Sequence, residues 1–324
     1  MKVGIIGAGF VGAACAKAML LRGSCHEIVL FDNKVSKLKD RETGLEREIR
    51  LDAGVATDLS HGEILCPPTR IRHGNYADMA DASLIIITAG INEKTGAAID
   101  RENKRGRLLL LPKNADIFRE IIPQIVRVAP EVPILVVTDP PDALADIART
   151  LTTTNVILSS GTFLDSLRFR FQLARRLGCH PSSVEAFVIG EHGTSQVYVW
   201  SSASLGGRPI LKHVVDRGGD VERFKKEVER SVKYANIDII EGIGASQHAI
   251  GIVTARLVEA ILRDEGLVEP IGVYQPKYAV TLSLPAVIGH RVVPLDCEKS
   301  LSDMESRALE ASADFIKAAL SEIL

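Results

Sequence analysis

The chain has 324 residues, 46% of them hydrophobic and 25% charged, with a formal charge of −2. That length suggests about two domains of roughly 150 residues, each able to bury a core, and the composition excludes disorder and collagen-like repeats. A nearly neutral chain offers no field for nucleic acid or an anionic membrane, and the longest apolar runs, such as residues 84–87 and 134–137, are strand-sized.

In chain order, strands are predicted at residues 3–6, 27–31, 84–88, 133–137 and 156–158. They alternate with helices at 10–21, 108–128 (Pro123 near its end) and 143–151. Such alternation calls for parallel pairing in a doubly wound α/β sheet. Near residue 150 the character changes. A helix at 164–177 is followed by strands at 184–189 and 196–202, helices at 221–240 and 246–263, and a β stretch at 273–295. Ser302 with Glu305 forms a capping box for a last helix, whose apolar stripe is Leu309, Ala313, Ile316, Leu320 and Ile323.

Two polar stretches interrupt this pattern. Residues 35–52 read as a solvated helix or arm. Residues 92–105 carry Glu93, Lys94, Asp100, Arg101, Glu102, Lys104 and Arg105 just past a strand end, the side on which open α/β sheets bind ligands. Five cysteines (Cys15, Cys25, Cys66, Cys179, Cys297) show no CxxC spacing, which argues against a zinc site or disulfide framework and fits a reducing compartment. Lys2 and the apolar residues after it imitate a signal segment, but Gly4, Gly7, Gly9 and Gly12 interrupt it, so a cytoplasmic protein is expected.

Those glycines have another use. Gly7-Ala8-Gly9-Phe10-Val11-Gly12 follows a strand and opens a helix. Gly7 permits the tight turn, Gly9 lets backbone approach a pyrophosphate, and Gly12 allows close helix–strand packing. The helix N-terminus offers free N–H groups to the phosphates. Asp32, twenty residues after Gly12, ends the next strand, where a carboxylate can accept from both ribose hydroxyls and repel a 2′-phosphate. NAD is therefore expected over NADP.

A hydride moved between a carbinol carbon and nicotinamide needs a proton moved too, and imidazole is suited to that work. His192 stands out among eight histidines because Gly190-Glu191-His192-Gly193 leaves its ring space beside a ligand. Leu164-Asp165-Ser166-Leu167-Arg168 supplies an orienting carboxylate and a carboxylate-binding guanidinium three residues apart, on one helix face.

With Thr88-Ala89-Gly90, these motifs resemble the L-lactate/L-malate dehydrogenase family from the first strand to the last helix. The resemblance implies a Rossmann doubly wound sheet over residues 1–150 that binds NAD, followed by an α+β substrate domain over 151–324. It implies that His192 exchanges the proton, Asp165 holds it, and Arg168 binds the substrate carboxylate. It further implies a mobile-loop arginine that polarises the carbonyl: Arg107 matches best, with Arg101 and Arg105 as competitors. Gly7, Gly9, Phe10, Val11, Gly12, Asp32, Thr88, Ala89, Gly90 and Asp139 are the implied cofactor contacts. Arg107, Arg168, Asp139 and Ser246 are the implied substrate contacts, with no metal. A homo-oligomer, dimer or tetramer, is also implied.

Some residues depart from the family pattern. Thr138-Asp139-Pro140-Pro141-Asp142 stands where Asn-Pro-Val-Asp is usual, and an ionised Asp139 can only accept hydrogen bonds. The residue that separates lactate from malate enzymes aligns to Glu93 from one side and Asp100 from the other; neither is the usual Gln or Arg. Ser246 replaces the Thr of lactate enzymes, beside an unusual His248. Lactate-like substrates are expected ahead of malate, for which Arg101, Lys104 or Arg105 would have to supply a donor. An NAD-binding homologue without turnover and an NAD-dependent glycoside hydrolase are the rival readings. The second needs a metal-binding Cys/His pair near the site, and none stands beside His192 in sequence.

Overall fold

The computed structural model describes residues 1–39, 44, 46–94, 99–103 and 105–324. The elements of the first half are β1 (Lys2–Ile6), α1 (Phe10–Arg22), β2 (Glu27–Phe31), β3 (Val35–Lys39), β4 (Glu46–Arg50), α2 (Leu51–Ser60), β5 (Arg70–His73), β6 (Leu84–Ile87), α3 (Leu111–Val128), β7 (Ile134–Val136), α4 (Pro141–Thr150) and β8 (Ile157–Ser159). There follow α5 (Phe163–Leu177), β9 (Val184–Glu185), β10 (Val188–Ile189), β11 (Val197–Tyr198), β12 (Ser204–Leu205), β13 (Arg208–Pro209), α6 (Ile210–Asp216), α7 (Val221–Lys233), α8 (Ala235–Ile243), α9 (His248–Arg263), β14 (Leu267–Gln275), β15 (Val280–Ile288), β16 (Val292–Pro294) and α10 (Asp303–Leu320).

The main sheet runs β16-β15-β14-β8-β7-β6-β1-β2-β5. From β5 to β8 every pairing is parallel; β14, β15 and β16 extend it antiparallel. The strand order reverses beside β1, which pairs with β2 on one side and β6 on the other. That opens a crevice at the strands' carboxyl ends.

Two-residue periodicity divides the buried residues between the faces. Ile85 and Ile87 of β6 pack into one layer with Phe118 and Ile122 of α3 and Leu309, Ala313 and Ile316 of α10. Leu84 and Ile86 pack into the opposite layer with Met19 of α1 and Leu257 of α9. The last-helix stripe is thus core, and its capping box forms as expected: Ser302 accepts from Glu305 N while the Glu305 carboxylate accepts from Ser302 N. Helices α1 and α9 touch so closely that a Cβ on Gly251 would lie 2.7 Å from Ala14 O.

Several expected elements are shorter or divided. The strand expected at 184–189 is two short pieces, and the helix at 221–240 breaks at Tyr234 into α7 and α8. Among the described residues of 35–52, β3 and β4 pair as an antiparallel hairpin with β3 exposed, an arm and not a helix, and Leu51 then begins α2. The charged composition signalled solvent exposure, but charged and β-compatible residues alternating across a hairpin give no helical or core-facing period to read. Residues 40–43 and 45 of this stretch, and 95–98 and Lys104 of the second, lie outside the described residues.

Candidate active site

The glycine turn between β1 and α1 is built as a cradle. Gly7 has φ +103°, and a Cβ there would sit 2.5 Å from Ala89 N; one on Gly12 would sit 1.9 Å from Gly7 O. Gly9 faces open space, with nothing within 4 Å of a Cβ position. No side chain caps the start of α1, so its first N–H groups point at that space as an anion site. The residues present therefore fit a pyrophosphate.

At the end of β2, Asp32 accepts from Ala8 N (2.7 Å) and Lys34 N (2.8 Å). Each carboxylate oxygen keeps a further lone pair for a ribose hydroxyl. Sequence reasoning missed what braces this corner: buried Asp52 accepts from Asp32 N (3.1 Å) and pairs with Arg50, whose guanidinium lies over Phe31. Thr88 Oγ1 donates to Gly7 O (2.8 Å) and Thr138 Oγ1 to Ala89 O (2.9 Å), so the segment 88–90 is tied to the cradle and to the strand beside it.

One cavity of 1270 Å³ runs from this cradle past Thr88–Gly90 to Asp139, Arg107, Arg168, His192 and Ser246. At its inner end four elements converge. His192 follows β10 through Gly190, whose φ of +85° and paired backbone bonds to Ser283 on β15 fix the chain there. Its Nδ1 bonds Asp165 in the first turn of α5, and Asp165 accepts Arg168 Nη1 at 3.0 Å. Arg168 Nη2 approaches Ser246 Oγ at 3.4 Å. Arg107, from the turn before α3, sets its Nη1 2.7 Å from His192 Nε2.

Asp139 faces this group instead of turning away. Its Oδ2 is 3.1 Å from Arg107 Nε, at ion-pair distance but off the N–H axis, and its Oδ1 is 3.6 Å from His192 Nε2. Asn114 holds the segment by donating to Asp139 O and accepting from Ile91 N. The competitors of Arg107 point elsewhere: Arg101 pairs with Glu241 and Asp238 of α8, and Arg105 with Glu322. Of the two aligned acidic residues, Glu93 lines the cavity, while exposed Asp100 accepts from Glu102 N.

Electrostatics follow from burial. Desolvation alone would raise Asp165, but the charges and hydrogen bonds of His192, Arg168 and Arg107 hold it well below the usual carboxylate range. Asp142, wholly buried, is pushed up to about 7 by desolvation although it accepts from His192 N (2.7 Å) and Ser159 Oγ (2.7 Å). Burial also raises Glu191, which accepts from Ser195 N. Neither acid was assigned a role from sequence; only their neighbourhood with Asp139 and His192 hinted at one. Among the described residues no cluster of metal-ligating side chains is found.

A cleft that can seat a dinucleotide across the strand ends, with an imidazole, a carboxylate and two guanidiniums at its inner end, defines a dinucleotide-dependent oxidoreductase. Comparison with known proteins makes the class specific. Residues 1–157 match the NAD-binding domain of lactate/malate dehydrogenase, and residues 162–324 match the α/β C-terminal domain of the same enzymes. The chain belongs to the lactate/malate dehydrogenase family and is an NAD-dependent oxidoreductase. It is 40% identical to an L-lactate dehydrogenase of Deinococcus radiodurans over 98% of this chain and 97% of that one. With an L-lactate dehydrogenase of Thermus aquaticus it shares 37% identity over 100% and 99%. A crystal structure of a lactate dehydrogenase from a deep-sea metagenome library superposes with a TM-score of 0.82, at 30% identity, covering 99% of this chain and 98% of that one.

Proposed function

We propose that the chain catalyses reversible NAD-linked oxidation of an L-2-hydroxy acid to the 2-oxo acid, as an L-lactate dehydrogenase-like enzyme. The observation that carries this is the placement of His192 Nε2 beside Arg107 Nη1, with Asp165 behind the ring, inside the cavity that contains the glycine cradle. Residues 1–150 bind the cofactor and residues 151–324 the substrate. The contacts to NAD come from Gly7, Gly9, Phe10, Val11, Gly12, Asp32, Thr88, Ala89, Gly90 and Asp139.

Bound NAD supplies the hydride acceptor, and NADH the donor in reverse. This chain's residues do the rest. Arg168 takes the substrate carboxylate through two parallel donors, with Ser246 beside it. His192 Nε2 receives the hydroxyl proton during oxidation and returns it to the carbonyl oxygen during reduction. Asp165 orients the ring and stabilises its charged form. Arg107 steadies negative charge on the reacting oxygen in a site shielded from water.

The preference for lactate-like over malate-like substrates is supported by the ion pairs that tie Arg101 and Arg105 outside the cavity. Steady-state NADH oxidation with pyruvate, oxaloacetate and a branched 2-oxo acid tests it. Pyruvate is expected to lead oxaloacetate, and the opposite order would return the chain to the malate side. A cytoplasmic homo-oligomer, dimer or tetramer, completes the reading. It is supported by the unpaired cysteines and by Ile64 and Leu65, 88% and 89% exposed after α2. No described helix is long and apolar enough to cross a membrane.

A further inference from the structure

The groups that meet at the inner end of the cavity are not matched to an oxygen atom alone. Arg107 Nη1 donates and His192 Nε2 accepts, 2.7 Å apart. The Asp139 carboxylate only accepts, and its Oδ1 lies 3.6 Å from the same Nε2. Arg107 Nε, 3.1 Å from Asp139 Oδ2 but off the N–H axis, is buried without an acceptor among the described residues. A buried donor in that state is costly, and a ligand lone pair would satisfy it. One substrate atom can sit about 2.9 Å from both Nε2 and Oδ1, because their 3.6 Å separation is less than twice that hydrogen-bond length. The spot thus offers two acceptors and one guanidinium to whatever atom enters.

Valence decides which atom satisfies all three. A carbonyl oxygen has lone pairs and no proton, so it suits Arg107 and is repelled by Asp139. A hydroxyl group has one proton, which His192 must receive during oxidation, and none remains for Asp139. A neutral amino nitrogen carries two protons and one lone pair. One proton faces His192 Nε2, the other faces Asp139, and the lone pair accepts from Arg107. Arg168 serves the carboxylate equally, since an L-2-amino acid differs from the L-2-hydroxy acid only in NH2 for OH.

We propose that the same site also oxidises L-2-amino acids to 2-imino acids, with Asp139 accepting the second N–H. This rests on the dehydrogenase reading above and adds a substrate class to it. The C2 hydrogen leaves with its electron pair to the bound NAD, one N–H proton passes to His192 Nε2, and a C=N bond forms. The remaining N–H stays on Asp139 and the nitrogen lone pair on Arg107, so neither contact is rebuilt during the step. Water then hydrolyses the released imino acid to the 2-oxo acid and ammonia.

The probe is L-alanine, with L-lactate and D-alanine alongside, at about pH 10, above the range in which α-amino groups lose their proton. NADH formation is followed by absorbance, with pyruvate and ammonia identified as products. L-Alanine is expected to reduce NAD and to compete with L-lactate, and D-alanine to do neither. In Asp139→Asn the ratio of kcat/KM for L-alanine to that for L-lactate should fall by about tenfold or more, the scale of a hydrogen bond to a charged group. Turnover of L-lactate with no NADH from L-alanine overturns the proposal without any variant having to fold. NADH formation from L-alanine that persists in His192→Gln overturns it as well, because the activity then lies outside this site. A ratio unchanged in Asp139→Asn overturns the assignment to Asp139. Failure with both L-lactate and L-alanine sinks the dehydrogenase reading, and the amine activity with it.

Discussion

Arg107 Nη1 lies 2.7 Å from His192 Nε2. A guanidinium can only donate, so Nε2 must be the accepting nitrogen, and the ring proton belongs on Nδ1, where Asp165 receives it. The imidazole is thereby set in the tautomer that can take a proton from a hydroxyl group at Nε2. A substrate oxygen entering between the two groups would meet a donor on one side and a base on the other. His192→Gln and Asp165→Asn should therefore each lower kcat/KM by roughly 10²–10⁴-fold, the range for a lost acid–base group or its orienter. NADH binding, followed by fluorescence titration, should change little, because the cradle lies at the far end of the cavity. Equal loss of cofactor affinity in both variants would mean that the fold, and not the chemistry, had been damaged.

Three arginines compete for the role of carbonyl polariser, and their pairing separates them. Arg107→Gln should reduce kcat by about 10²–10³-fold, as removal of one charge-stabilising donor does. Arg101→Gln and Arg105→Gln break exposed ion pairs with α8 and Glu322, which are worth little in water. Their kcat should stay within about threefold of the unmodified enzyme, because these exposed pairs lie outside the cavity and are screened by water. Single-turnover NADH oxidation distinguishes the three, and a deep loss in Arg101→Gln would transfer the role.

Asp139 stands where its side chain can accept but not donate, close to both Arg107 and His192. In reduction the substrate oxygen gains negative charge near this carboxylate, which raises the barrier. Asp139→Asn removes that charge and adds a donor. The expected result is a higher kcat/KM with pyruvate, by up to about tenfold, the scale of one net hydrogen bond. An unaltered or lowered value would show that the ion pair with Arg107 outweighs the repulsion.

How much of this was legible in the residues follows from how local each signal is. The glycine cradle, Asp32 and the helical spacing of Asp165 and Arg168 are local, so their geometry could be anticipated. The choice among Arg107, Arg101 and Arg105 could not be made by spacing, because it depends on where α8 and the C-terminal turn put Asp238, Glu241 and Glu322. The Arg50–Asp52 brace was hidden for the same reason: in sequence it looks like more of a charged surface stretch. Only the folded chain shows that Asp52 is wholly buried under β2.

Asp142 offers a last check, on stability instead of turnover. Burial raises its carboxyl to about 7, against hydrogen bonds from His192 N and Ser159 Oγ that favour the charged form. In the unfolded chain the same group titrates near 3.9. A folded-state value above the unfolded one means that the native state binds the proton more tightly. The resulting stabilisation is full below about 3.9 and is lost as pH rises through about 7. Asp142→Asn freezes a neutral group of the same shape, able to accept from His192 N and donate to Ser159 Oγ, and so removes this titration. The stability of the unmodified protein minus that of Asp142→Asn, measured by urea unfolding from pH 4.5 to 8, should shrink steadily up to pH ~7 and level off beyond it. A difference that widens with pH would mean that Asp142 is held ionised in the native state, with its two donors outweighing its burial.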